Sequence, residues 1–118
     1  MKVAIVGSRS ITNYKLIKSK INELIKTHNI VIKTIISGGA YGVDFIAEQY
    51  ATENRIPIKI FLPDWNTYGK SAGFKRNTTI IENCDICIAF WDGISKGTLD
   101  SVNKAKKLNK QVYLIEIK

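Results

Sequence analysis

Four short stretches of the sequence combine glycine with basic, aromatic and hydroxyl side chains. Each stretch follows a short apolar run: Gly7-Ser8-Arg9 follows the first run, and Trp91-Asp92-Gly93 follows the fourth. Glycine lets backbone N–H groups approach an anion closely, and arginine and lysine donate charged hydrogen bonds to phosphate. Aromatic rings supply flat faces on which a nucleobase can stack. The combination is typical of a pocket for a small, phosphate-bearing ligand of the nucleotide type.

The candidate ligand-binding residues all lie in these stretches or in the helices that follow them. We expect a phosphate to lie on the backbone amides near residues 38–42 and 97–98, helped by Arg9 or Arg76. The full set of candidates is Gly7, Ser8, Arg9, Ser37, Gly38, Gly39, Tyr41, Gly42, Asp44, Asp64, Trp65, Lys70, Arg76, Asn77, Trp91, Asp92, Ser95, Gly97 and Thr98.

Several of these candidates also have a purely structural interpretation. Asp44 falls in the first turn of a predicted helix, where carboxylates are favoured in any case. Asp64 and Asp92 either accept hydrogen bonds from ribose hydroxyls or simply end strands. Trp65 and Trp91 either stack on a base or pack an interface or a lid. The sequence leaves these alternatives open.

The elements that must position these residues alternate between strand and helix along the whole chain. Short apolar runs predict five strands, and stripes of apolar residues at helical spacing predict four helices. The predicted strands are 3–6, 32–36, 58–62, 86–90 and 112–117, and the predicted helices are 13–27, 41–54, 71–83 and 97–108. This order favours an α/β fold over residues 1–118: a doubly wound, parallel five-stranded sheet with helices on both faces. The glycines then share the carboxyl edge of the sheet, where ligands bind in such folds.

Composition excludes several classes of protein. The chain has 118 residues and a net charge of +8, with two cysteines and one histidine, His28. No apolar run approaches the roughly 18 residues of a membrane span, and residues 1–6 are too short an apolar stretch for a signal peptide. We therefore expect a cytoplasmic protein with no membrane partner, no metal site and no cofactor. The positive charge favours an anionic partner but does not choose among nucleotide, nucleic acid and membrane surface.

Cys84 and Cys87 form a CxxC pair, and His28 stands alone. Redox CxxC pairs lie at a helix N-terminus, where the thiolate is stabilised, whereas this pair enters a predicted strand. We expect both cysteines to be buried as small apolar residues. We expect His28 to lie at the end of the first helix, away from the glycine-rich edge.

Four motifs occur together and in order: Gly7-Ser8-Arg9, SGGAYGVD at 37–44, DWNTYGKSAGFKRN at 64–77 and FWDGISKGT at 90–98. Together they resemble the SLOG superfamily (Smf/DprA and LOG), most closely its small YspA-like, YpsA-related branch. The resemblance implies a Rossmann-like fold that binds nucleotides or nucleotide derivatives. Some members of the superfamily are enzymes, some are ligand sensors, and the DprA-type members bind single-stranded DNA.

The LOG members of this superfamily cleave the N-glycosidic bond of nucleoside monophosphates, and the chain departs from them at one position. The resemblance matches their substrate-binding arginine to Arg76 and places their GGxGTxxE motif at residues 93–101. Their catalytic glutamate is replaced by Ser101, which cannot act as a carboxylate. Asp100 is adjacent, but the next residue along a helix points about 100° away. The departure argues against the hydrolase activity.

Three hypotheses for the function follow. The first is binding of a nucleotide or nucleotide-derived signal, for sensing or for sequestration. The second is N-glycosidic cleavage, with Arg76 holding the substrate and Asp100 or Asp92 in place of the glutamate. The third, less favoured, is DprA-like binding of single-stranded DNA. We also expect a homodimer or a larger homo-oligomer, because so short a chain has difficulty enclosing a ligand.

Overall fold

Five parallel strands form one sheet. Its central strand, β1 (Lys2–Gly7), lies between β2 (Thr34–Ser37) and β4 (Ile86–Trp91), and β3 (Ile58–Ile60) and β5 (Gln111–Glu116) are the two edge strands. A computed structural model describes all of residues 1–118. The helices are α1 (Tyr14–His28), α2 (Val43–Glu53), α3 (Trp65–Tyr68), α4 (Ala72–Glu82) and α5 (Lys96–Lys107). A 3₁₀ turn, Gly69–Ser71, joins α3 to α4.

Both faces of the sheet are buried, which explains why β1 and β4 contain uninterrupted apolar runs. In β1, Val3 and Ile5 face one side, and Ala4 and Val6 face the other. The first side packs against α1 and α2, and the second side packs against α4 and α5. The predicted doubly wound α/β sheet with helices on both faces is therefore confirmed.

The ends of α1 follow directly from its sequence. Asn13 caps the N-terminus, because its side-chain oxygen accepts a hydrogen bond from Leu16 N. Asn29 ends the helix in the left-handed conformation, at φ 53°. Between them, Ile17 and Ile21 are fully buried against the sheet. The helix has 15 residues, and no helix has the length and hydrophobicity that crossing a membrane requires.

The region after β3 departs most from the sequence-based prediction. The strand ends at Ile60 rather than at residue 62, and the short helix α3 follows it. Asp64 caps α3 by accepting hydrogen bonds from the backbone N and the hydroxyl of Thr67. A helix of 4 residues is too short to show an apolar stripe, so periodicity could not reveal it.

Cys84 and Cys87 are free thiols in the core on the α4 and α5 side of the sheet. Burial raises the pKa of Cys87 to about 12 and also raises the pKa of Cys84. Both thiols are thus poor nucleophiles, in agreement with the expected structural role. His28 is exposed at the last position of α1, where its ring lies 4.6 Å from that of Tyr113.

Gly42 precedes α2 at a point where the chain passes very close to the loop after β1. Its φ of 74° is a conformation that side-chain-bearing residues rarely adopt, and a Cβ there would lie 2.4 Å from Ser8 O. The same contact lets Ser8 O accept hydrogen bonds from Ile11 N and Val43 N. Gly42 thus fixes the start of α2 against the end of β1.

We expect Gly42→Ala to destabilise the fold by roughly 2–4 kcal/mol, because the new methyl group adds backbone strain and a clash with backbone atoms. Gly97→Ala is the matched control: a Cβ at Gly97 meets nothing within 4 Å, so its stability should stay within about 1 kcal/mol of the parent. Urea unfolding followed by circular dichroism measures both. Equal effects of the two substitutions would contradict the packing role of Gly42.

Candidate functional site

The loops that follow β1, β2, β3 and β4 meet at the carboxyl edge of the sheet, as the sequence predicts. The parallel strands β1 and β4 are neighbours, but the connections that follow them lead apart: the one after β1 crosses one face toward β2, and the one after β4 crosses the other face toward β5. Connections that lead apart in this way open a crevice at this edge, where ligands bind in open α/β sheets. The candidate residues separate there into two polar clusters.

The first cluster surrounds a cleft of about 480 Å³ between the loops after β2 and β3. We call it the arginine cleft, because two of the three arginines of the chain line it and no carboxylate does. Its lining residues are Arg9, Gly38, Gly39, Ala40, Tyr41, Leu62, Pro63, Trp65 and Arg76. A cleft with two cations and no anion favours a negatively charged ligand.

Arg76 reaches this cleft from α4 and is held there by neutral acceptors. Its Nη1 donates to Gly38 O at 2.5 Å and to Phe61 O at 3.5 Å, and its Nε donates to Asn77 Oδ1 at 3.1 Å. It forms no salt bridge. Burial lowers the pKa of Arg76, and the charge of Arg9 lowers it further while Asp44 opposes the change. The guanidinium nevertheless stays charged at neutral pH, so its unpaired charge is available to an anion.

Arg9 contributes a second cation from the loop after β1. The residue is exposed and forms no salt bridge with the chain. Its charge lies close enough to Arg76 to affect the pKa of that guanidinium. Two like charges repel each other, so a bound anion between them would stabilise both.

The loop after β2 supplies backbone donors to the same cleft. The N–H groups of Gly38, Gly39 and Tyr41 donate to no acceptor in the chain. The N–H of Ala40 is used, since it donates to Asp44 Oδ2 at 3.2 Å. Free N–H groups in a glycine-rich loop that precedes a helix form a good environment for phosphate.

Asp44 lies beneath this loop rather than in the cleft, and only 6% of its surface is exposed. Burial raises the pKa of Asp44, while the hydrogen bond from Ala40 and the charge of Arg76 oppose the change. Ser37 Oγ is buried beside it without a hydrogen-bond partner. This hydroxyl lowers the pKa of Asp44, although the two side chains do not meet the distance and angle of a hydrogen bond. Asp44 therefore accepts a hydrogen bond from the loop, and its charge partly offsets that of Arg76.

Two aromatic rings border the arginine cleft and are open to solvent. Tyr41 is 82% exposed and Trp65 is 53% exposed. Both residues also line the cleft. Exposed aromatic side chains at the mouth of a cationic cleft can stack on a planar base.

The second cluster centres on Asp92, in the loop between β4 and α5. Asp92 Oδ1 accepts hydrogen bonds from Ile94 N at 2.9 Å and Ser95 N at 2.8 Å, and Oδ2 accepts one from Ser10 Oγ at 2.7 Å. These bonds, the one from Ser10 above all, lower the pKa of Asp92 to about 2. The carboxylate thus occupies the donors that a phosphate would need in this loop.

Hydroxyl groups complete this second cluster. Ser95 caps α5, because its Oγ accepts a hydrogen bond from Thr98 N. Thr98 Oγ1 lies 3.3 Å from Ser8 Oγ, which in turn accepts a hydrogen bond from Asp92 N. Trp91 Nε1 donates to Ser95 O at 2.9 Å. The candidate residues of this loop are therefore bonded mainly to one another.

Asn77 and Asp100 lie on the facing sides of α4 and α5. Asn77 Nδ2 donates to Gly97 O at 3.3 Å and to Asp100 Oδ2 at 3.2 Å. Lys104 Nζ forms a salt bridge with the same carboxylate oxygen at 2.8 Å. Ser101 is only 2% exposed. Asp100 is thus held by two donors, and neither Asp100 nor Ser101 lines the arginine cleft.

The remaining candidates lie outside both clusters. Gly7 packs tightly, since a Cβ there would lie 2.5 Å from Phe90 O. Lys70 is exposed in the 3₁₀ turn and does not line the arginine cleft. Asp64 caps α3 and is accessible from a neighbouring pocket.

The structure adds four residues that the sequence-based set lacks. Ala40, Leu62 and Pro63 line the arginine cleft, and Ser10 bonds to Asp92. Their positions gave a signal, because each lies within a motif or within two residues of one, in a loop that follows a strand. The residue types of the three that line the cleft gave none, since alanine, leucine and proline carry no polar side chain.

Comparison with protein families gives one match. The model of the YAcAr family, described as the YspA, cpYpsA-related SLOG family, matches residues 1–68. The comparison with curated proteins gives no match.

Solved structures with a similar fold include two DNA processing proteins. DNA processing protein A from Helicobacter pylori, whose single-stranded DNA binding mode has been described, is 25% identical with a TM-score of 0.73, over 97% of this chain and 64% of that one. DNA processing protein A from Streptococcus pneumoniae is 20% identical with a TM-score of 0.75, over 96% of this chain and 49% of that one. The chain thus spans between half and two thirds of the length of these two proteins.

A third similar structure is TM1055, a structural-genomics target. It is 19% identical with a TM-score of 0.70, over 94% of this chain and 71% of that one. At such identities the likeness to TM1055 and to the Streptococcus pneumoniae protein shows a shared fold.

The hydrogen bonds to Asp92 predict a specific dependence of stability on pH. Because the pKa falls from 3.8 to about 2 on folding, the ionised carboxylate stabilises the fold above pH 3.8, and this contribution is lost as the pH falls toward 2. We expect Asp92→Asn to lower the melting temperature at pH 7 and to flatten its decline between about pH 4 and pH 2. Thermal unfolding by circular dichroism at several pH values measures this.

Glu23→Gln is the matched control for Asp92→Asn, because Glu23 is exposed and forms no salt bridge. It should leave both the melting temperature and its acid dependence unchanged. An Asp92→Asn profile that runs parallel to the parent's at every pH would show that the carboxylate is not hydrogen-bonded as described.

Proposed function

The chain belongs to the YspA, cpYpsA-related SLOG family, and from this premise we propose that it binds a nucleotide or nucleotide-derived ligand in the arginine cleft. The observation that carries the proposal is the lining of that cleft, which holds two unpaired guanidinium groups and no carboxylate. A 480 Å³ cleft also falls within the usual size range of small-molecule sites, about 300–1,000 Å³.

The phosphate of the ligand would lie between Arg76 and the loop after β2. There the free N–H groups of Gly39 and Tyr41 and the guanidinium group provide donors from two sides. Within the chain, Arg76 Nη2 donates to no acceptor, so its two N–H groups stay available to a phosphate oxygen. The base would stack on Trp65 or Tyr41 at the mouth of the cleft.

The loop before α5 is a poorer place for the phosphate. Its Ile94 and Ser95 N–H groups already donate to Asp92, and Thr98 N already donates to Ser95. A phosphate near residues 97–98 would have to displace these bonds. We therefore favour the loop after β2 over residues 97–98.

Binding for sensing or sequestration is better supported than cleavage. Hydrolysis of an N-glycosidic bond needs a carboxylate that reaches the sugar. Asp100 is engaged by Asn77 and Lys104, and Asp92 by three donors. Asp44 is buried beneath its loop. No carboxylate lines the arginine cleft beside the proposed base and phosphate positions.

One further candidate function, single-stranded DNA binding, rests on a separate observation. Four lysine ammonium groups lie within 6.0 Å of an aromatic ring. The pairs are Lys75 with Tyr68 at 4.8 Å, Lys59 with Phe61 at 5.0 Å, Lys104 with Phe74 at 5.9 Å and Lys18 with Tyr14 at 6.0 Å. Aromatic rings among cations are typical of surfaces that bind single strands. The similar protein from Helicobacter pylori binds single-stranded DNA.

Titration calorimetry with a panel of mononucleotides tests the leading proposal. Arg76→Gln and Arg9→Gln should each weaken binding about 10- to 100-fold, since each removes a charged hydrogen bond to the anion. Arg55→Gln is the matched control, because Arg55 is exposed between α2 and β3, at the opposite edge of the sheet. Arg9 is exposed, so its variant tests the proposal without disturbing the fold.

Two outcomes would overturn the proposal. One is a well-folded parent chain that no mononucleotide or nucleotide derivative binds. The other is binding that Arg9→Gln, Arg76→Gln and Arg55→Gln weaken to the same extent, because a general loss of charge, rather than the cleft, would then explain it.

Fluorescence anisotropy with a labelled oligothymidylate tests the DNA candidate. Binding should weaken steeply with salt, with a log–log slope of about −0.7 per phosphate contacted. Tyr68→Ala should cost about 1–3 kcal/mol if Tyr68 stacks on a base. Phe45→Ala is the control, because Phe45 is an equally accessible aromatic residue on α2, 55% exposed. Affinity that is insensitive to salt, or equal losses for the two variants, would argue against a specific site.

A further inference from the structure

A second pocket, of about 380 Å³, lies directly beside the arginine cleft. Arg76 and Leu62 line both spaces, so the two adjoin along these side chains. We call the second space the adjoining pocket; its other lining residues are Asp64, Tyr68, Ala72, Lys75, Thr78 and Thr79. A ligand anchored at Arg76 can therefore extend from one space into the other.

The adjoining pocket presents acceptors for hydroxyl groups. The hydroxyls of Thr78 and Thr79 each donate to the backbone oxygen four residues earlier, which leaves their oxygen lone pairs free. Asp64 accepts one hydrogen bond on each carboxylate oxygen, both from Thr67, and retains further lone pairs. The arginine cleft, by contrast, is lined by cations, aromatic rings and backbone donors.

Lys75 adds a cation to the lining of the adjoining pocket. The ammonium group of Lys75 lies 4.8 Å from the centre of the Tyr68 ring, and both residues line the pocket. Lys75 forms no salt bridge. Each of the two spaces is therefore lined by two cations, Arg9 and Arg76 in the arginine cleft and Arg76 and Lys75 in the adjoining pocket.

From this division of chemistry we infer that the ligand has two parts joined through phosphate, as in a nucleoside diphosphate sugar. The base and first phosphate would occupy the arginine cleft, the bridging phosphates would lie at Arg76 and Lys75, and the sugar hydroxyls would donate to Asp64 and the threonines. The inference rests on the proposed function, because it takes the arginine cleft as the nucleotide site. Beyond the proposed function, the inference names the class of ligand and the residues that would distinguish this ligand from a mononucleotide.

Calorimetry with matched ligands tests the inference: AMP, ADP and ADP-ribose in one series, and UMP, UDP and UDP-glucose in the other. In at least one series the sugar-bearing ligand should bind about tenfold more tightly than the diphosphate, since it adds several hydrogen bonds. Thr79→Phe fills the adjoining pocket and should abolish that gain while leaving mononucleotide affinity within about twofold, because Thr79 does not line the arginine cleft.

Thr52→Phe is the control for Thr79→Phe, because Thr52 is an exposed helical threonine on α2, remote from both spaces. It should change none of the affinities. Asp64→Asn provides an independent variant that keeps an N-capping oxygen for α3, and it should selectively weaken the sugar-bearing ligand. If Thr79→Phe does not fold, the affinities of Asp64→Asn for the mononucleotide and for the sugar-bearing ligand test the inference instead.

The outcomes separate this inference from the proposed function. If mononucleotides bind but the sugar-bearing ligands bind no more tightly than the diphosphates, the inference fails and the proposed function stands. Equal weakening of mononucleotide and sugar-bearing ligand by Asp64→Asn or Thr79→Phe also overturns it. If no nucleotide binds the parent chain at all, both fail together.

Discussion

The guanidinium of Arg76 can reach the loop after β2 only because residue 38 has no side chain. A Cβ at Gly38 would lie 2.5 Å from Arg76 Nη1 and 2.8 Å from Asp44 Oδ2. The cation from α4 and the carboxylate from α2 therefore meet on either side of one glycine, where Gly38 O accepts a hydrogen bond from Arg76. This close approach joins two helices that lie on opposite faces of the sheet. It also places at the arginine cleft a guanidinium group that forms no salt bridge and whose charge Asp44 offsets only in part.

The two polar clusters at the carboxyl edge differ in how many of their hydrogen-bond donors already have an acceptor within the chain. Around Asp92, the donors of the loop before α5 are bonded to a carboxylate within the same chain. In the arginine cleft, two guanidinium groups form no salt bridge, and several backbone N–H groups lack any acceptor. Donors that are already bonded within the chain are less available to a ligand than accessible donors without an acceptor in the chain. The position of the proposed site follows from this contrast rather than from the glycine motifs, which both clusters share.

Much of the fold could be predicted from residue order. The runs Val3–Val6 and Ile86–Phe90 are apolar at every position, as strands buried on both faces require, and they form the central strand β1 and its neighbour β4. Helix α3 could not be predicted, because its 4 residues show no period. The separation of Trp91 and Asp92 from Arg9 and Arg76 could not be predicted either, because all four have residue types suited to a ligand. They differ in the hydrogen bonds that the folded loops form, such as those from Ser10 to Asp92 and from Trp91 to Ser95.

The sequence by itself determined the family, the alternating order of strands and helices, and the edge of the sheet on which the polar residues meet. These depend on local periodicity and on residues adjacent in the chain, and such features are present before the chain folds. Only the tertiary structure decided which cations remain unpaired, which donors are already used, and that Arg76 borders two joined pockets. Those properties depend on distances between loops that the sheet brings together, and residue order alone does not specify such distances.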